Sequence, residues 1–104
     1  MRDDTPMPPR MHEARWAVLE ALGLQDHAAF TPGQLSMTPA NKRARVVLVC
    51  VMREMGCSYP EAAVACGMRS STPAIGCARR ATDEDRQLAR SIAKGLQTKA
   101  KGGG

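Results

Sequence analysis

The chain has 104 residues, a net charge of +5 and 43% apolar residues, but only one Trp, one Tyr and one Phe. That length holds one domain at most, and seven Met and many Ala must fill its core, which excludes a sandwich or barrel in favour of packed helices. The longest strongly apolar run, residues 46–52, is too short to cross a membrane, and Cys50, Cys57, Cys66 and Cys77 lack the spacing of a zinc site, so no cofactor or metal is expected.

Residues 1–10 are charged and proline-rich and read as a flexible arm, not a signal peptide. Together with unpaired thiols this fits a cytoplasmic location. Residues 11–22 read as a helix with an apolar stripe of Trp16, Leu19 and Leu22, flanked by Met11 and Val18, and stopped by Gly23. Trp16 reads as the core anchor of this helix, with base stacking as the alternative. Residues 24–38 form a connection with a single turn at Thr31–Pro32, and His27 is given no chemistry.

A long helix is expected over residues 39–55, opened by Thr38–Pro39 and ended by Gly56. Between 46 and 52 it is apolar on every face, the mark of a central, buried helix. Its start carries Asn41, Lys42, Arg43 and Arg45. Helix starts favour acids, so cations there suggest phosphate contacts; a solvated helix start is the plainer account.

Residues 57–80 read as two short helices joined by a tight turn. Ser58 and Glu61 make a capping box, Pro60 fits the first turn, and Gly67 ends the first helix. Ser70, Ser71 and Thr72 offer N-caps for the second, which carries Ile75 and Ala78 inward and closes on Arg79 and Arg80. This is the layout of a helix-turn-helix. Thr82 caps a last helix with Asp83, Glu84 and Asp85 in its first turn. Leu88, Ile92 and Leu96 form its core stripe, Arg86, Arg90 and Lys94 a solvated line, with a place along the DNA backbone as the alternative, and residues 97–104 a flexible tail or linker. The closing glycines fit a piece of a longer protein.

Charge is uneven. Residues 1–41 hold three Arg against five acids, whereas residues 42–104 hold twelve Lys or Arg against five acids. A polyanionic partner for the second part follows, with a merely soluble basic surface as the alternative.

From Asn41 to Leu96 the chain resembles the carboxy-terminal DNA-binding domain (domain IV) of the bacterial replication initiator DnaA. The resemblance rests on the basic helix start, on Ser58-Tyr59-Pro60-Glu61 in place of a serine-leucine-proline-glutamate segment, on Gly67-Met68-Arg69 at the turn, and on the closing pair Arg79-Arg80. The family's Asp-His-Thr-Thr signature is Ser70-Ser71-Thr72-Pro73 here, kept only at Thr72, and its minor-groove arginine aligns near Met37. The resemblance therefore implies DNA binding without the initiator's own target sequence. Isolated domains of this type occur in regulators of phages and gene-transfer agents.

The expected protein is thus all-α, with about five to six helices containing a helix-turn-helix over residues 39–96, after an N-terminal helix and connection over 11–38. Its expected partner is double-stranded DNA, and its expected role that of the DNA-binding domain of a transcription regulator, with a recognition helix docked in the major groove. Lys42, Arg43, Arg45, Arg79 and Arg80 are expected on phosphates, and Arg69, Ser70, Ser71 and Thr72 near bases. RNA polymerase or another domain of the same parent protein are further partners, and no membrane is expected. The alternatives are an origin-binding protein related to DnaA and a protein-interaction module that reuses the helix-turn-helix shape. No Ser/His/Asp arrangement, paired carboxylates on a common face, metal set or phosphate-binding loop supports an enzyme.

Overall fold

The structure is a computed structural model that describes residues 11–24, 30 and 39–103, with side chains through 97. The arm over residues 1–10, Thr31–Pro32, His27 and Met37 lie outside the described residues. Within them there are five α-helices and no strand: α1 (Met11–Leu22), α2 (Pro39–Glu54), α3 (Tyr59–Ala65), α4 (Ser71–Arg80) and α5 (Asp83–Gly103). The expectation of a small all-α domain is met.

Helix α2 is the axis. It packs against each of the other four helices, and every residue from Ala44 to Met52 is buried. Valine is a modest helix former, at a cost of at most about 0.7 kcal/mol each. Full burial of such a side chain returns about 1.5–3 kcal/mol, so packing decides the conformation here.

Helices α1, α2 and α3 end alike. Gly23, Gly56 and Gly67 have φ of 72°, 87° and 71°. In each case the glycine N–H donates three residues back and the following N–H donates five residues back. For α3 these bonds run from Gly67 to the Val64 carbonyl (3.1 Å) and from Met68 to the Ala63 carbonyl (2.9 Å). This is the Schellman ending, and all three were expected from the glycines alone.

Helix α3 has seven residues, too few to persist unaided. Its start is held by the expected capping box: Glu61 N donates to Ser58 Oγ (3.3 Å) and Ser58 N donates to Glu61 Oε1 (2.8 Å). Ala62, Ala63 and Ala65 are buried, and their small size admits a close neighbour. Its end is held from a distance. Arg15 of α1 donates Nε to the Ala65 carbonyl (2.6 Å) and Nη2 to the Val64 carbonyl (3.3 Å), where the helix dipole favours a cation. The same guanidinium stands 6.0 Å from the centroid of the buried Phe30 ring.

Several faces differ from expectation. Trp16 is 55% exposed and is not the anchor of α1. The buried residues are Met11, Ala14, Val18 and Leu19, and at about 100° per residue Trp16 sits well round the helix from the first three and beside only Leu19. In α4 the buried residues are Ala74 and Cys77, with Ile75 and Ala78 only half-buried beside them. In α5 Ala89, Ala93 and Leu96 are buried, while Leu88 and Ile92 flank them. Arg86, Arg90 and Lys94 are exposed as expected. Where a tail was expected after Leu96, α5 continues to Gly103. Gln97, Lys99, Ala100 and Lys101 are good helix formers, and no proline interrupts them.

Candidate nucleic-acid interface

The start of α2, the α3–α4 turn, α4 and the start of α5 enclose a concavity of about 700 Å³. α2 contributes Lys42, Arg43, Arg45 and Val46. The turn contributes Met68 and Arg69, α4 contributes Pro73, Cys77 and Arg80, and α5 contributes Asp85. Five of the nine expected site residues therefore gather around one volume, although they come from three separate segments.

Their environments differ. Lys42, Arg69 and Arg80 are exposed. Arg43 is exposed but engaged: its Nε donates to Asp85 Oδ1 at 3.1 Å. Arg45 is 6% exposed, where the sequence suggested an open phosphate contact. Its position belongs to the stretch of α2 that is surrounded on all sides, so it faces a neighbour whichever way it turns.

Asp85 was expected only as one of three dipole-favoured acids. It is 8% exposed and is a hub. Its backbone N–H donates to Thr82 Oγ1 (3.1 Å) and its Oδ2 accepts from the Thr82 N–H (3.1 Å), a reciprocal cap at the start of α5. Burial works to raise its carboxyl, but the bonds from Thr82 and Arg43 outweigh that and hold it below the ordinary 3.8. Thr82 followed three residues later by an acid was a readable capping signal. Its link to Arg43, 42 residues earlier, had none.

Ser70, Ser71, Thr72 and Arg79 do not line the concavity. Ser70 is the N-cap of α4 with extended backbone, yet its side chain makes no capping bond. Ser70 and Thr72 are exposed, Ser71 is half-buried, and Arg79 is exposed on the last turn of α4.

The thiols are structural. Cys66 Sγ donates to the Arg45 carbonyl at 3.7 Å, and Arg80 Nη2 stands 3.8 Å from Cys77 Sγ. Burial pushes the pKa of all four thiols up, which favours the neutral thiol. Among the described residues no group of three or more His, Cys, Asp or Glu could hold a metal ion, and no helix is long and apolar enough to cross a membrane. On the far part of α2, Arg53 stacks 4.3 Å from the Tyr59 ring centroid and donates to the Cys57 carbonyl (2.9 Å).

The described residues thus define a small all-α unit of five helices in which five cations share one concavity. Comparison with protein-family models, curated proteins and solved structures found no match.

Proposed function

We propose that this chain is the double-stranded DNA-binding domain of a transcription regulator, of the kind found with phages and gene-transfer agents, and that it acts in the cytoplasm. In this reading α3 and α4 act as the helix-turn-helix, with α4 in the major groove. The observation that carries it is the gathering of Lys42, Arg43, Arg69 and Arg80 around one concavity that α4 lines along its length. The absence of a side-chain cap from Ser70 adds to it, because the first N–H groups of a helix are ready donors to a phosphate. Lys42, Arg43, Arg79 and Arg80 then hold the backbone and set register. Arg69 pairs with a guanine edge, and Ser70, Ser71 and Thr72 make weaker contacts to bases or phosphates. Arg45 supports the others from within instead of meeting the DNA.

With about four phosphates neutralised, log K falls against log salt with a slope of about −3 to −4. Fluorescence anisotropy on a random duplex measures it. Lys42→Glu with Arg79→Glu weakens binding across all sequences and flattens the slope. A slope near zero, or no response to that double substitution, removes the reading. Selection from a random duplex library then separates a promoter-type site from an origin-type array.

A second reading has its own support. The exposed Trp16 on α1 fits a protein-interaction module that docks RNA polymerase or a neighbouring domain. It is favoured if the domain binds no duplex at low salt.

A further inference from the structure

Parts of three helices line the concavity, α4 along its whole length through Pro73, Cys77 and Arg80. Lys42, Arg43, Arg45 and Val46 belong to the first two turns of α2, Pro73 to the first turn of α4, and Asp85 to the first turn of α5. Helix starts carry partial positive charge, and neither α2 nor α4 has an acid in its first turn to offset it. Five cationic side chains share the lining with one carboxylate, and that carboxylate already accepts from Arg43 and Thr82. Arg45 is nearly buried, so water screens its charge poorly. The remaining lining is apolar or neutral: Val46, Met68, Pro73 and the Cys77 thiol. The volume of about 700 Å³ far exceeds one phosphate group and falls in the range of small-molecule sites, about 300–1,000 Å³. Methionine is the side chain best able to mould itself to a ring.

We propose that this concavity is a binding site for a phosphorylated ligand of nucleotide size, with its phosphates on the cations and its ring body against Met68 and Pro73. The site stands whether or not the domain binds DNA. Asp85 is its internal counter-charge, which occupies Arg43 while the ligand is absent.

The test titrates the full chain with ATP, and separately with inorganic pyrophosphate and with adenosine, by calorimetry and by amide chemical shifts. ATP is expected to bind one per chain and to shift the amides of Val46, Met68 and Cys77. Pyrophosphate and adenosine each bind at least about tenfold more weakly, since each offers half of the contacts. Lys42→Gln and Arg80→Gln lie on the exposed rim, so their folds are retained, and each weakens ATP about tenfold. Asp85→Asn tightens it. No ATP binding at millimolar concentration overturns the proposal. So does binding that is unchanged in both rim variants, or pyrophosphate binding as tight as that of ATP.

Discussion

At the residue scale, Asp85 joins more of the molecule than any other acid described. Its one carboxylate closes the start of α5 and pairs with Arg43 of α2. Because its pKa in the fold lies below the ordinary 3.8, the folded state binds the proton less readily than the unfolded chain. Its stabilising contribution is therefore complete above that ordinary value and is lost as pH falls through the lower, folded one. Urea denaturation at neutral pH and near pH 3 checks this: the wild type loses stability between the two, and Asp85→Asn loses less. At neutral pH Asp85→Ala costs about 1–2 kcal/mol, mainly through the lost cap. The local half of this arrangement was legible, since Thr82 and Asp85 are three residues apart. The long-range half was not, because nothing in a sequence pairs residue 43 with residue 85. The burial of Arg45 was hidden for the same reason: a cation beside a buried run is read as exposed until every neighbour of the helix is known.

At the scale of elements, helix ends were legible and helix faces less so. An end depends on one residue and its backbone, and glycine announces it. Replacing Gly56 by Ala costs about 1–2 kcal/mol, although a Cβ there meets nothing within 4 Å; its φ of 87° is the obstacle. Gly95 is the converse. It lies inside α5, a Cβ there also meets nothing within 4 Å, and Gly95→Ala stabilises by about 0.5–1 kcal/mol. Thermal or urea unfolding of the two variants shows opposite shifts. Faces were read only in part in α4 and α5, where Leu96 is buried and Ala78, Leu88 and Ile92 pack against the core as expected, because their seams also run through alanine and cysteine. Ala74, Cys77, Ala89 and Ala93 are buried, and the bulkier Ile75, Leu88 and Ile92 fill the flanks. Small residues allow close helix approach but contribute little to a hydrophobic pattern, so the pattern followed the flanks.

For the molecule as a whole, the buried run of α2 fixed the architecture and could be read directly, since seven apolar residues in a helix leave no face for solvent. Leu48 is fully buried in it. Leu48→Ala costs about 2–5 kcal/mol, a large share of the stability of a domain this size, and its measure is the urea midpoint. The charge imbalance between the two parts of the chain was equally plain. The concavity was not, because its walls come from four places along the chain and its volume exists only after they are assembled.

Arg15 bears on where this domain can be cut. By donating to the last carbonyls of α3, it makes α1 a structural partner of the helix that precedes α4. Limited proteolysis should spare the stretch from Met11 to Leu22 for as long as α3 holds. A gene fragment that starts at α2 strips α3 of its distal clamp and α2 of one packed flank. A graft of the α3–α4 pair onto another scaffold therefore has to bring α1 with it.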